Sequence, residues 1–305
     1  MKIRVLGSAA GGGFPQWNCN CRNCTAVRNG TLSGSARTQS SIAVTGGGGI
    51  ESVLVNASPD VLAQLKTTPG LQPARSLRDS AIAAIILVDG QVDHTTGLYM
   101  LRESVRPLTI WCTDSTHADL TEGNPVFRVL GHFCGVDRRR IELDREFAVE
   151  AVAGVRWRAL AVASKPAPYS PHREAPVSGD NVALVITDTS SGRSLVYAPG
   201  LAAIDPRLWE VMQAASCVLV DGTFWTDDEM IRLGISRKRA RDIGHLPQSG
   251  EEGMLVWLDR LPAGVRKILI HINNTNPILD ESSPEAAQLR RHAVEAAYDG
   301  MEIDL

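Results

Sequence analysis

Ala81-Ile82-Ala83-Ala84-Ile85-Ile86-Leu87-Val88-Asp89-Gly90-Gln91-Val92-Asp93-His94-Thr95-Thr96-Gly97-Leu98 is the stretch on which the fold turns. From Ala81 to Val88 it is apolar without interruption and rich in isoleucine. Apolarity without alternation, over that length, marks a strand buried on both faces. The strand runs out into a loop carrying adjacent Asp93 and His94, then opens a helix at Gly97-Leu98. Metal or acid-base donors in a loop at the end of a buried strand make an active-site arrangement. The plain alternative is a helix cap beside a satisfied core histidine.

Other short apolar runs read as strands: Ile3 to Leu6, Ser41 to Val44, Val53 to Val55, Val182 to Ile186, Leu195 to Tyr197, Val218 to Val220 and Ile268 to His271. Glycine and serine turns, Gly46 to Gly49 and Ser190 to Arg193, join some of them into hairpins. Helical patterns lie between. Pro59 to Leu65 follows a capping Ser58. His94 to Arg102, Asp205 to Met212 and Gly253 to Leu261 follow, and Ser283-Pro284 opens a last helix toward Ala297. Strands in hairpins in each half, with helices interspersed, suit an α/β sandwich of two packed β-sheets flanked by helices. Nothing reads as a linker or repeat, so residues 1–305 are expected to form one domain.

Hydrophobic residues make up 44% and charged residues 21%, ordinary for a globular chain. A net charge of -3 gives no electrostatic case for nucleic acid. No apolar run reaches the roughly 18 residues of a membrane span. The N-terminus, Met1 to Gly7, reads as a strand and a turn and lacks the apolar centre of a signal peptide. A cytoplasmic protein that does not insert in a membrane is therefore expected.

Three of the six cysteines fall in Cys19-Asn20-Cys21-Arg22-Asn23-Cys24. In a reducing compartment, clustered thiols point to metal rather than disulfides. A short loop wraps thiolates around one tetrahedral zinc ion, here a structural one, with a fourth donor brought in by the fold or by water. Three reduced surface thiols are the alternative. Cys217, in an apolar run, reads as a small buried hydrophobe. The least regular segment, Lys165 to Gly179, carries Pro166, Pro168, Pro171 and Pro176. A loop this long in a compact domain tends to be functional.

The motif after Val88 resembles the metallo-β-lactamase superfamily, whose signature is His-x-His-x-Asp-His after a buried strand. Asp89 and Gln91 stand at the first two histidine positions, and only Asp93 and His94 match. No histidine falls near Ala163 to Lys165, where a later ligand is expected. No aspartate stands near Pro199, the place of the bridging carboxylate. Leu269-Ile270-His271 fits the last ligand. The resemblance thus implies that the first ion's donors are largely gone and that Asp93, His94 and His271 hold the second. Two imidazoles and one carboxylate are the set used by non-haem Fe(II) oxygenases; they also suit zinc. Asp221 and His245 resemble active-site positions of superfamily phosphodiesterases, as ligands or as neighbours of ligands. In those relatives a histidine three residues after the last ligand completes the cysteine site; Asn274 or water would serve here.

Gly7-Ser8-Ala9-Ala10-Gly11-Gly12-Gly13-Phe14-Pro15-Gln16-Trp17-Asn18 and His271-Ile272-Asn273-Asn274-Thr275-Asn276-Pro277-Ile278-Leu279 are similar, with Asp93 to Leu98 and Tyr298 to Met301, to the pyrroloquinoline quinone (PQQ) synthesis protein B family. The resemblance spans essentially the whole chain. It implies the metallo-β-lactamase αββα sandwich, with a cysteine metal loop at about residues 8–25. It also implies a part in making PQQ from a Glu and a Tyr. Two activities attach to the family: an iron-dependent hydroxylase of the tyrosine ring in a Glu-Tyr dipeptide, and a carrier assisting transport of the quinone or its precursor to the periplasm. A metal-dependent hydrolase is the third reading. In the first, Fe2+ sits on Asp93, His94 and His271, Zn2+ on the cysteines, and Asp221 or His245 moves protons. Lys165 or Arg173 would pair the substrate carboxylates, and His172 would touch substrate or stay solvated. The expected partners are the dipeptide precursor or PQQ, with a homodimer allowed.

Overall fold

The computed structural model describes all residues, Met1–Leu305. Fourteen strands build two sheets. The first takes β1 (Lys2–Gly7), β2 (Ser41–Thr45), β3 (Ser52–Val55), β4 (Ile82–Ile86), β5 (Leu108–Cys112) and β6 (Val136–Arg140). The second takes β7 (Glu146–Phe147), β8 (Val155–Ala161), β9 (Val182–Asp188), β10 (Ser194–Ala198), β11 (Cys217–Asp221), β12 (Arg266–Ile270) and β13 (Val294–Ala296). The last strand, β14 (Glu302–Asp304), returns to the first sheet beside β1, giving the orders β14-β1-β2-β3-β4-β5-β6 and β13-β12-β11-β10-β9-β8-β7.

Each sheet begins as an antiparallel meander and ends in parallel strands. In the first, β1 to β3 are antiparallel and β3 to β6 parallel. In the second, β7 to β10 are antiparallel and β10 to β13 parallel. Parallel strands need crossovers, and those crossovers place helices on the outer faces.

The period of two along each strand assigns side chains to layers. Ala84, Ile86, Leu184, Ile186, Leu219 and Ile270 point between the sheets into one apolar cluster. Their neighbours Val185, Val218, Val220 and Leu269 point outward, against Leu208 and Met212 of helix Pro206–Ala214 and Leu255 and Leu258 of helix Met254–Asp259. Ile85 and Leu87 meet Val126 and Leu130 of helix Val126–Leu130 in the same way. The result is the expected αββα sandwich.

Some details differ from expectation. The helix expected from Pro59 to Leu65 runs from Val61 to Lys66; Ser58 still caps the turn that leads into it, its hydroxyl accepting from the Asp60 amide at 3.2 Å and donating to Gln64 Oε1. The helix opened at Pro284 ends at Arg291, and Ala293 turns through φ 50° so that Val294–Ala296 can pair with β12. No helix is long and apolar enough to cross a membrane.

Candidate metal centre

The donors gather where parallel strands of both sheets end. Beyond β4 the chain gives Asp89, Asp93 and His94; beyond β11 it gives Thr223; directly after β12 comes His271. His271 takes φ 60°, an uncommon conformation for a side-chain-bearing residue, which turns the chain sharply out of the strand. Open α/β folds bind ligands at such carboxyl ends.

His94 is buried, and its Nδ1 lies 2.8 and 2.9 Å from the two carboxylate oxygens of Asp89. That contact holds a ring proton on Nδ1, so Nε2 is the nitrogen that can give up its proton and offer a lone pair to an ion. Nε2 is buried without any hydrogen-bond partner, 4.0 Å from Asp93 Oδ2. A buried ring nitrogen with no partner calls for an explanation, and a metal ion supplies one. Asp89 thus occupies a ligand position of the superfamily signature but serves as the outer partner of His94, the carboxylate–histidine pairing common behind metal ligands.

His271 Nε2 lies 3.1 Å from the same Asp93 oxygen, and its Nδ1 is 2.9 Å from the Thr223 hydroxyl. His245 places Nδ1 2.7 Å from Asp221 Oδ2. The His245 and His271 rings stack at 5.4 Å, and His94 meets His271 edge-on at 5.3 Å. Metal-capable atoms of Asp93, His94 and His271 lie within 4.8 Å of one another. Those of Asp221, His245 and His271 do so too, but Asp221 has no lone pair to spare. Its Oδ1 accepts from the Thr223 amide and hydroxyl, and its Oδ2 from the Leu201 amide and His245. His245 thus faces the centre and Asp221 stands behind it.

Electrostatics agree with a cation at this point. Burial pulls the His94 imidazole down, yet the charges of Asp89 and Asp93 lift it to about 9. His245 is likewise raised against its burial, by Asp221 and Asp93. Burial opposes the charge on Asp93, but His94 and His271 hold its carboxyl well below the usual range. Within the polypeptide, protons supply the positive charge that a metal would replace.

The positions of a first ion are differently filled. Gln91 donates to the Lys165 carbonyl at 3.1 Å. Gly200 follows β10 and offers only its α-carbon beside His245; a Cβ there would stand 3.6 Å from Cε1. The glycine loop near the N-terminus closes the centre from another side, with a Gly11 Cβ falling 3.1 Å from Asp93 Oδ2.

That loop leads to the cysteines. Cys21 caps helix Arg22–Arg28, its sulfur accepting from the Cys24 amide at 3.5 Å. The three sulfurs lie within 4.8 Å of one another. The Asn274 side-chain amide reaches all three, at 3.1, 3.6 and 3.3 Å from Cys19, Cys21 and Cys24. Its nitrogen faces the sulfurs, and a flip of the amide would present its oxygen instead. Burial pushes the Cys21 thiol up to about 12, with Cys24 adding to the rise. Cys19 is lowered in spite of its burial by hydrogen bonds from its neighbours, first the Cys21 amide. Three thiols and a converging amide fit one zinc ion.

The loop residues fall in different places. Lys165 is exposed and in no ion pair, with its backbone against Gly244, next to His245. Arg173 turns back to donate to the Pro166 carbonyl of its own loop. His172 lines a cavity of about 490 Å³ with Thr113, Ser115 and Arg140, to which no metal-facing residue contributes. Thr223 does not stand out in the sequence; its place two residues past the end of an apolar strand is the available signal.

Comparisons with known proteins show the family and the fold. The family model described as Beta-lactamase superfamily domain matches residues 51–272. Coenzyme PQQ synthesis protein B of Azoarcus sp. (strain BH72) is 63% identical over 305 residues, covering all of both chains. The protein of the same name from Methylobacillus flagellatus is 54% identical over 307 residues, again with full coverage. Among solved structures, Zn(2+)-bound PqqB from Methylobacterium extorquens superposes with a TM-score of 0.92 at 37% identity over all of both chains. A diphosphatase of the PhnP family, at 16% identity and a TM-score of 0.68 over 100% of this chain and 97% of its own, shares the fold.

Proposed function

The chain belongs to the coenzyme PQQ synthesis protein B family, within the beta-lactamase superfamily, and from that premise we propose that it takes part in making PQQ as an Fe(II)-dependent hydroxylase of the tyrosine ring in a Glu-Tyr precursor. The observation that carries this reading is the buried, unpartnered Nε2 of His94, aimed at the space it shares with Asp93 and His271. Imidazoles and one carboxylate around a single position suit Fe(II) and leave coordination sites open. Asp93, His94 and His271 would hold the ion, with His245 facing it. A bound Fe(II) would supply the one-electron steps by which O2 is reduced and one of its oxygen atoms enters the ring.

The overall balance is aryl C–H plus O2, two electrons and two protons, giving aryl C–OH and water. The electrons come from an external reductant. The protein's part is to bind, orient and dry the site. Asp89 and Asp221 hold two of the rings in place, and Gly11 lets the N-terminal loop pack against Asp93. Lys165, exposed and with its backbone against Gly244 next to His245, is the candidate partner for a substrate carboxylate. A two-ion hydrolase is less well supported, since Asp89, Gln91 and Gly200 leave no donor set for a second ion.

The test is anaerobic loading with Fe(II), then addition of Glu-Tyr, ascorbate and O2, with products followed by mass spectrometry. Addition of oxygen to the dipeptide beyond a single turnover is expected. Stoichiometric binding of finished PQQ without turnover would replace the reading with a carrier. Anaerobic cleavage supported by Zn(II) would replace it with a hydrolase.

A further inference from the structure

Each histidine at the centre must keep its proton on Nδ1 if Nε2 is to bind a metal. His94 has Asp89 for this, and His245 has Asp221, both carboxylates in direct contact. His271 has no carboxylate at Nδ1. Its partner there is the Thr223 hydroxyl at 2.9 Å. A hydroxyl can donate or accept, so alone it selects no tautomer.

This hydroxyl is not free. It stands 2.6 Å from Asp221 Oδ1, an oxygen that also accepts the Thr223 amide at 2.9 Å. Asp221 is the acceptor in each of these contacts, so the single hydroxyl proton of Thr223 is committed to it. The lone pairs left face Nδ1 of His271 at 2.9 Å and Nδ1 of His245 at 3.1 Å and can only accept; His245 already donates to Asp221, and Nδ1 of His271 must donate to the hydroxyl. Thr223 itself is fixed in place. It is 2% exposed, and its carbonyl accepts from the Asn273 amide at 3.1 Å and the Asn276 side chain at 3.3 Å.

We propose that Thr223 is a positioning residue that relays the orienting effect of Asp221 to His271, so that one carboxylate sets the tautomer of two histidines, one directly and one through a hydroxyl. The competing state is visible in the geometry. His271 Nε2 lies 3.1 Å from Asp93 Oδ2. The other tautomer would donate from Nε2 to Asp93 and tie up two metal donors in a hydrogen bond to each other. Thr223 weights the equilibrium away from that blocked state. The metal consequence rests on the reading of His271 as a ligand; the tautomer consequence does not.

The experiment compares the wild type with Thr223→Val and Thr223→Ser. Histidine ring nitrogens are read by 15N NMR on the metal-free proteins, and Fe(II) affinity by anaerobic competition with a chromophoric chelator. Thr223→Val is expected to move His271 alone to the Nε2–H form and to weaken Fe(II) binding by about 10- to 100-fold, the usual effect of losing a ligand's outer partner. Thr223→Ser keeps wild-type behaviour in both measurements. A Thr223→Val protein whose His271 stays Nδ1–H overturns the relay. If that variant does not fold, Asp221→Asn decides. The relay requires His271 to lose its fixed tautomer together with His245, and a change confined to His245 refutes it. Absence of Fe(II) binding in every protein would refute the metal reading, while the NMR spectra would still decide for or against the relay.

Discussion

At His94 a proton and a metal ion compete for the same nitrogen. The ring is lifted to about 9 by Asp89 and Asp93 against its burial, so below that pH the metal-free fold favours the doubly protonated form. Binding an ion displaces that proton. Fe(II) affinity is therefore expected to fall as pH drops from 9 toward 6, by up to about tenfold per unit, and to level off above 9. Anaerobic titrations at several pH values check this, and an affinity flat across the range contradicts it. Asp119 is a further buried carboxyl, shifted in the opposite direction to Asp93 and Asp221. Neither of its oxygens has a hydrogen-bond partner, and burial, with Asp180 and Asp89 nearby, pushes it up to about 6. A carboxyl raised in the folded state contributes stability that is present below its unfolded value and lost as pH rises through the folded one. Asp119→Asn is therefore expected to stabilise at pH 8, on the order of 1 kcal/mol, and to change little at pH 4. Urea unfolding at the two pH values reads the difference.

The loop after β12 shows what the sequence reveals and what it hides. His271 was legible because an apolar strand ends on it, and the strands buried on both faces, β4 and β9 to β12, were legible for the same reason. β6 was not, because Val136–Arg140 is an edge strand carrying three arginines. β8 was not, because Arg156 and Arg158 interrupt the inward Val155, Trp157 and Ala159. Side-chain pairings were hidden altogether. Nothing local to Asp89 says that it turns onto His94, nor does Asp221 announce that His245 stands in front of it. The role of Asn276 is of this kind. It is fully buried; its Nδ2 donates to the Gly222 and Thr223 carbonyls and to Gln248, and its Oδ1 accepts the Ile278 amide. Asn276→Ala would take these partners from the Gly222 carbonyl, Gln248 Oε1 and the Ile278 amide, at a cost of about 2–3 kcal/mol. Because the same loop carries His271 and Asn274, chemical denaturation and metal content should fall together; loss of stability with full metal content would separate the two.

The two sheets meet at the centre, and the N-terminal loop fastens them there. Ala9 bridges Gln39, just before β2, and Ile272, just after β12. Ile272 in turn donates to Ser8 and accepts from Ala10. Asp93 and His94 come from the first sheet, while His245 and His271 come from the second half of the chain. An ion among them is therefore bound by two halves at once, and the cysteine site repeats this by joining Cys19, Cys21 and Cys24 to Asn274. Ions that bind only the folded state stabilise it by mass action, about 2.7 kcal/mol at a hundredfold excess over Kd. Cys24→Ser, which replaces the one fully buried thiol of the trio, should lose the thiolate-bound ion and lower Tm. It should also loosen the segment that packs Gly11 against Asp93, and so weaken Fe(II) at the other site. Metal analysis, calorimetry and Fe(II) competition on the wild type and Cys24→Ser test the three consequences. If zinc content drops while Fe(II) affinity stays unchanged, the cysteine loop is a local clamp only. A parallel drop would show that the two metal sites share the task of holding the halves of the sandwich together.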